Sequence, residues 1–317
     1  MHVVINGWFL NQLTTGSGQY LHHLLDYLSC APDRAHLSLV APVVKPARQI
    51  RALQARWPSV DMMTGMQLPL PAKIGKLWWE QVTIPLAVRR LQADVLWVPY
   101  WAAPFWQPCP TVVTVHDLIH RLLPAYQGGR LQQLYTQLVS YTAQHATAVI
   151  TVSHAGARDI IAELGIPGER VYVVYNGAEE GLVAGQDLTY LNAVREKYQL
   201  PERYFLYLGG FDLRKNVRTT LEAYRRYLDQ GGDPAIRLVV AGRLPVTDTA
   251  FAPNPQKIAA ELALTTQIQF CGWVDEVDKP ALYALATAYL FPGLYEGFGL
   301  MLLEAMQAGA PVVTSAK

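Results

Sequence analysis

The chain is poor in charge and poor in cysteine, and it lacks any long apolar run. Charged residues make up only 16% of its 317 positions, and 26 Lys and Arg stand against 25 Asp and Glu, a formal charge of +1. Nucleic-acid binders ordinarily show a strong basic excess, so no nucleic-acid partner is expected. The three cysteines, Cys30, Cys109 and Cys271, are odd in number, widely spaced and without a CxxC pair. That argues against a disulfide framework or a zinc site and fits reduced thiols of a cytoplasmic protein. Met1–Leu10 lacks the basic stretch and longer apolar core of a signal peptide. No run of about 18 apolar residues is present, so no membrane-spanning helix is expected. Low-complexity segments and short repeats are absent as well. What the chain does have is apolar residue, 51% of the total, enough to give each of two ordinary domains a core and to exclude disorder.

Short β-branched runs alternate with longer amphipathic stretches, the pattern of βα units and a parallel sheet. Strands are expected at Val3–Ile5, Leu37–Val40, Asp94–Val98, Val112–Val115, Ala148–Val152 and Val171–Val174. Helices are expected near Gly18–Leu28, Leu131–Gln144 and Ala155–Leu164. The pattern loosens across Gly177–Pro201 and then begins again at Phe205–Leu208. Further strands follow at Arg237–Val240, Ile268–Phe270 and Ala288–Phe291, and helices at Val217–Leu228, Lys279–Ala286 and Gly299–Ala308. This predicts an α/β protein of two doubly wound, Rossmann-like domains facing a cleft: residues 1–180, a linker at 181–203, and residues 204–317. Pro311–Thr314 reads as a strand just begun, with Lys317 close behind, so the second domain is expected to be C-terminally shortened.

The most informative stretch runs from Phe291 to Val313. A strand ends at Phe291, a glycine-rich turn follows, and a helix opens near Gly299. Ligands of open α/β sheets sit at the carboxyl ends of strands, where helix N-termini point amides outward. Gly297 and Gly299 would let the backbone come close, so the amides of Phe298–Leu300 are candidates to hold phosphate or sugar oxygens. Glu304 leans back toward the same place, since helical side chains tilt to the N-terminus, and suits the hydroxyls of a ribose. Glu296 in the turn would face a sugar. A lone glutamate here reads as a cap or a solvated side chain; one set inside Leu302-Leu303-Glu304-Ala305-Met306 needs a reason.

A second cluster, Tyr207–Asn216, passes from strand to Gly209-Gly210 and then to Arg214-Lys215 before a helix. Such cations suit a diphosphate leaving group; an exposed basic pair is the plain alternative. Earlier in the chain, Gly16-Ser17-Gly18 precedes the first helix and His116 follows a strand.

Glu296 through Glu304, with Gly297-Phe298-Gly299 between them, resembles the E-x7-E motif of glycosyltransferase family 4, retaining enzymes of the GT-B fold. Gly272-Trp273-Val274, Pro292, Gly309 and Pro311 stand where that family has similar residues, and Gly209–Asn216 resembles its Gly…Lys-Asn segment. One departure is Gly210, where many members carry Arg; the Arg-Lys-Asn order gives that role to Arg214. The resemblance implies transfer of a hexose, mannose among the candidates, from a GDP- or UDP-linked sugar to a glycan or lipid-linked acceptor, with no metal or other cofactor. It implies that Gly16 and Gly18 lie near donor phosphates and acceptor, and that His116 contacts the donor sugar. Ser153 and Asn176-Gly177 match further family words. The implied path is front-face displacement: Arg214 and Lys215 hold the diphosphate, Glu304 the ribose, and Glu296 the sugar. Basic and aromatic residues (Lys45, Arg48, Arg51, Arg56, Trp57, Lys73, Lys76, Trp78, Trp79, Arg89, Arg90) leave room for peripheral contact with an anionic inner membrane face. Rival readings are a GT-B epimerase or phosphorylase, a Rossmann dehydrogenase lacking its usual turn after the first strand, and a non-catalytic nucleotide-sugar-binding fragment.

Overall fold

The computed structural model describes residues 1–13, 15–30, 35–42, 47–177 and 187–315, without the side chains of 47–50. Two compact units result, Met1–Asn176 and Gly177–Lys317.

The first unit runs β1 (His2–Asn6), α1 (Gly16–Ser29), β2 (His36–Ala41), α2 (Ala47–Arg56), β3 (Val60–Thr64), α3 (Ala72–Trp78), α4 (Ile84–Arg90) and β4 (Val95–Val98). It continues with β5 (Thr111–Val115), α5 (Ile119–Leu122), α6 (Arg130–Gln144), β6 (Ala148–Thr151), α7 (His154–Leu164) and β7 (Val171–Val173). Its seven strands lie in the order β3-β2-β1-β4-β5-β6-β7, and every pairing is parallel. Val4, Ile5, Leu39, Leu96, Val113 and Val149 are fully buried. Neighbouring residues on both faces of the strands therefore need apolar cover, which explains the near-continuous Val, Ile and Leu runs.

The second unit contains α8 (Leu188–Lys197), β8 (Tyr204–Leu208), α9 (Val217–Asp229), β9 (Arg237–Ala241), α10 (Pro255–Glu261) and β10 (Ile268–Gly272). Then come α11 (Lys279–Leu285), β11 (Ala288–Phe291), α12 (Leu300–Gln307) and β12 (Val312–Thr314). The strand order is β10-β9-β8-β11-β12, again parallel throughout. Each sheet reverses direction beside its own first strand, between β1 and β4 and between β8 and β11. Those reversals are where open parallel sheets bind ligands.

Two stretches are richer than the sequence reading. Residues 47–92, left without elements, carry α2, β3, α3 and α4, and a π-helical turn, Trp79–Thr83, joins the last two. Of the segment expected as linker, residues 181–186 lie outside the described residues, whereas α8 belongs to the second unit. There Tyr190 and Leu191 pack on its core, and Lys197 pairs with Asp275 and Asp278. The polar surface of α8 hid this packing.

Helix starts follow their caps. Thr15 Oγ1 accepts the Gly18 amide at 3.1 Å and Ser153 Oγ accepts the Gly156 amide at 3.0 Å, and Gly165 closes α7 at φ +64. A Cβ on Gly18 would lie 2.1 Å from the Gln12 carbonyl oxygen. Gly18→Ala is accordingly expected to destabilise the protein by about 1–3 kcal/mol, the range for an overpacked site, read as a lower urea midpoint.

Candidate active site

In the second unit, two loops leave the carboxyl ends of β8 and β11 and are tied together. The Leu294 amide donates to the Arg214 carbonyl at 2.8 Å, and Asn216 Nδ2 donates to the Pro292 carbonyl at 2.9 Å. Asn216 sits in the left-handed region, φ 53 and ψ 43, which asparagine tolerates better than most residues. Gly209 packs against Met301 of α12, where an added Cβ would come 3.4 Å from the methyl, and a Cβ on Gly242 would come 2.1 Å from the Gly209 carbonyl oxygen. The chain at Gly209-Gly210 is thus pressed between β9 and α12, and the Tyr207 hydroxyl donates to the Gly210 carbonyl at 2.6 Å.

Into this frame Arg214, Lys215 and Glu296 converge. Arg214 Nη1 and Lys215 Nζ lie 2.5 and 2.7 Å from the same Glu296 oxygen. All three side chains are mostly buried, the most exposed at 23%. Lys215 Nζ stands 4.8 Å from the Phe291 ring centroid. Burial lowers the Lys215 ammonium from its ordinary pKa, Glu296 opposes the shift, and Arg214 reinforces it. Two cations therefore share one carboxylate at the β8–β11 reversal. Glu296, expected to face a sugar, is in this arrangement their counter-ion.

Gly297, Phe298 and Gly299 complete the turn into α12, which starts at Leu300. Gly299 caps that helix at φ 88, a conformation that glycine adopts freely and a side chain would strain. Glu304, half-buried in the second helical turn, accepts from the Tyr283 hydroxyl at 3.3 Å. Tyr283 is fully buried and edge-on to Tyr289 at 5.1 Å. Burial first, and Glu304 and Glu296 among the charges, raise the Tyr289 phenol well above its ordinary range. Tyr283 as partner of Glu304 was invisible in the sequence, being a tyrosine of an apolar helix that only packing brings to the carboxylate.

In the first unit, His116 Nε2 donates to the Pro99 carbonyl at 3.1 Å, leaving Nδ1 as the acceptor of the neutral ring. The ring is edge-on to Tyr20 at 4.6 Å. Burial depresses the His116 pKa, so the neutral form is favoured. Asp117 Oδ1 accepts the Ile119 amide and so caps the following turn. Gly16 is exposed at the start of α1, whereas the Gly18 amide is already used by Thr15. Of the basic and aromatic residues, Trp57 and Trp79 are core residues, 0% and 1% exposed, and Arg56 is paired with Asp26 at 2.7 Å. Lys45 and the side chain of Arg48 lie outside the described residues.

One carboxylate escaped the sequence reading. Glu80, on the π-helical turn, is fully buried; desolvation raises its pKa to about 7 against the pull of Lys76 and Tyr135. The fold therefore holds a proton that the unfolded chain, with an ordinary value of 4.5, releases earlier. Stability from this group is full below about pH 4.5 and is lost as pH rises through about 7. The difference is about 3 kcal/mol at 1.36 kcal/mol per unit. Glu80→Gln is expected to flatten that slope in urea midpoints taken from about pH 5 to pH 8; an unchanged slope would assign it to other groups.

Two parallel-sheet α/β units, the second carrying the Arg214–Lys215–Glu296 cluster at its sheet reversal, match the GT-B glycosyltransferase architecture. Comparison with known proteins places the chain within that class. The family described as Glycosyltransferase Family 4 matches residues 14–180, and Glycosyl transferases group 1 matches residues 192–317. The chain belongs to glycosyltransferase family 4. It is 30% identical over 205 residues to O-antigen chain mannosyltransferase B of Escherichia coli, covering 64% of this chain and 52% of that one. It is 28% identical over 200 residues to GDP-mannose:cellobiosyl-diphosphopolyprenol alpha-mannosyltransferase of Xanthomonas campestris, covering 63% and 48%. The chain spans no more than about half the length of the curated relatives it matches. Among solved structures, Anabaena HepE in complex with UDP superposes with a TM-score of 0.68 at 18% identity over 99% of this chain and 80% of that one, a likeness of fold.

Proposed function

We propose that this chain carries the donor site and acceptor side of a retaining hexosyltransferase. It moves mannose from a GDP-linked donor to a growing surface glycan or a lipid-linked sugar. The observation that carries the reading is the convergence of Arg214 and Lys215 on Glu296 at the β8–β11 reversal, one strand–turn–helix away from Glu304. The cations take the diphosphate and the charge that builds on it as the glycosidic bond breaks, a task that needs no metal. Glu304, oriented by Tyr283, takes the ribose. Glu296, released from the cations when phosphate arrives, is free to turn to the sugar. In the first unit, His116 with its neutral ring is assigned to sugar binding and Gly16 to the acceptor side. The two relatives named above act in mannose transfer, one with GDP-mannose and a diphosphopolyprenol-linked acceptor by its name, which favours this donor and acceptor class.

A lipid-linked acceptor places the enzyme peripherally at the cytoplasmic face of the membrane. The face of α3 supports this, with Lys73 exposed beside Ile74 and Leu77, 55% and 38% exposed. Among the described residues no helix is long and apolar enough to cross a membrane.

A thermal-shift panel with UDP-, GDP- and ADP-sugars tests the donor reading, run also on Glu304→Ala and Lys215→Ala. One nucleotide sugar should stabilise the parent and neither variant; equal stabilisation by all three would sink the assignment. Binding without turnover of any acceptor would mark a nucleotide-sugar-binding protein instead.

A further inference from the structure

A buried polar cluster of the first unit is not among the residues assigned to the donor site. At the carboxyl end of β1, buried Asn6 accepts the Trp79 indole N–H at 2.8 Å and the Trp8 amide at 3.1 Å on one oxygen. Its Nδ2 donates to the Tyr100 hydroxyl at 2.9 Å, and Tyr100 in turn hydrogen-bonds Glu80. Glu80 also takes the Tyr135 hydroxyl, 3.0 and 2.9 Å from its two oxygens, and has Lys76 Nζ at 3.5 Å. That ammonium stands 5.0, 5.4 and 5.6 Å from the ring centroids of Tyr135, Tyr100 and Phe9. The groups facing Glu80 are thus Lys76 from α3, Tyr100 from the loop after β4 and Tyr135 from α6. Three segments close on one carboxylate.

This arrangement is costly. A carboxylate without water loses several kcal/mol of solvation that one lysine recovers only in part. The turn that aims it inward is π-helical, a geometry frequent at functional sites. A core needing only cohesion would put an apolar residue there.

What the cluster fixes is a pair of tryptophans. Trp79, through its indole N–H, and Trp8, through its backbone amide, donate to the same Asn6 oxygen, and their ring centroids lie 5.7 Å apart, tilted by 49°. They border a hollow of about 260 Å³ together with Gln67, Leu68, Leu70 and Gly75; Trp79 is buried behind it, and half-buried Trp8 is the tryptophan with accessible surface. The hollow lies by the carboxyl end of β1, at the β1–β4 reversal, the place where such sheets bind ligands. It is smaller than the ~300–1,000 Å³ of sites for drug-sized molecules. One ring fits; a nucleotide or a long alkyl chain does not. The electron-rich face of the Trp8 indole suits the C–H face of a pyranose, and the Gln67 amide supplies a polar edge.

We propose that this hollow binds one sugar ring of the acceptor glycan against the Trp8 indole, with buried Trp79 backing it, and that Glu80 is the positioning residue that holds the Trp79 indole and the Trp8 backbone through Tyr100 and Asn6. The inference rests on the transferase reading and names its acceptor subsite.

Intrinsic tryptophan fluorescence, titrated with free mannobiose and with cellobiose, tests it without turnover. A saturable change is expected in the parent, at least tenfold weaker in Trp8→Ala. Sugar affinity should vary between about pH 6 and pH 8 in the parent and be flat in Glu80→Gln, a dependence that mere structural support would not produce. Tyr135→Phe, a gentler change, should show a weakened dependence if Glu80→Gln folds poorly. Unchanged affinity in Trp8→Ala, or displacement of the sugar by monomeric dodecylphosphocholine, would overturn the proposal, the second in favour of an alkyl chain. Stabilisation by nucleotide sugars is read separately on the same proteins. Sugar binding without it would keep the pocket and sink the donor reading, and the reverse would sink the pocket alone.

Discussion

Lys215→Ala is expected to lower kcat/KM for the donor by about 10²–10³-fold, the usual cost of deleting one preorganised group that stabilises transition-state charge. The ammonium is mostly shielded from water and fixed by Glu296 and the Phe291 ring, so it meets a developing phosphate charge without first reorganising. Arg214 remains in the variant, which is why a residue of activity should survive. The fold should tolerate the change, because Glu296 keeps Arg214 at 2.5 Å and the loop keeps the Arg214 carbonyl on the Leu294 amide and the Asn216 side chain on the Pro292 carbonyl. Steady-state kinetics with a saturating acceptor, beside a thermal melt, separate the two effects. A loss of activity matched by an equal loss of folded protein would assign Lys215 to the scaffold. A loss of less than tenfold in a folded variant would remove it from the diphosphate site.

How far the sequence announces this site depends on how local each feature is. Tyr204–Asp229 and Ala288–Gln307 are each one strand, one turn and one helix, and residue type states the work of each part: glycine where backbones crowd, cations beside it, a carboxylate within an apolar helix. The same locality made the buried strands legible as β-branched runs. Tertiary features were not. Tyr283 reaches Glu304 from α11, 21 residues away, with an ordinary apolar helix around it. Glu80 was hidden for a sharper reason. Pro71 and Pro85 shorten the segments on either side of the π-helical turn Trp79–Thr83 below the length at which a period shows, so no helix is legible there and its buried face goes unseen. The family resemblance did not help either, since it falls on motifs near the donor and says nothing of a buried acid in the first unit. Gly18 teaches the converse. Its place in a glycine-rich string implied a phosphate contact, but its amide is spent on Thr15 and its missing side chain makes room for Gln12.

Glu296→Gln should separate the two tasks of that carboxylate, because they act on stability in opposite states. Without ligand, the substitution leaves Arg214 and Lys215 side by side with their shared counter-charge gone. Breaking a buried pair from one side costs about 3–5 kcal/mol. With these side chains up to 23% exposed and Asp212 still 3.5 Å from Arg214, about 2 kcal/mol is a fair expectation for the free protein. A nucleotide diphosphate brings back the missing negative charge, and in the variant it need not displace Glu296. Its stabilising shift, governed by RT ln(1 + [L]/Kd), should therefore be larger in the variant than in the parent. Turnover should nonetheless fall by about 10²-fold, since the group expected at the sugar has lost its charge. Melting curves over a range of GDP concentrations, with kinetics on the same preparation, supply all three numbers. A variant that melts like the parent and gains nothing extra from GDP would show that Glu296 does not compete for the cations, and the donor phosphates would then have to lie elsewhere.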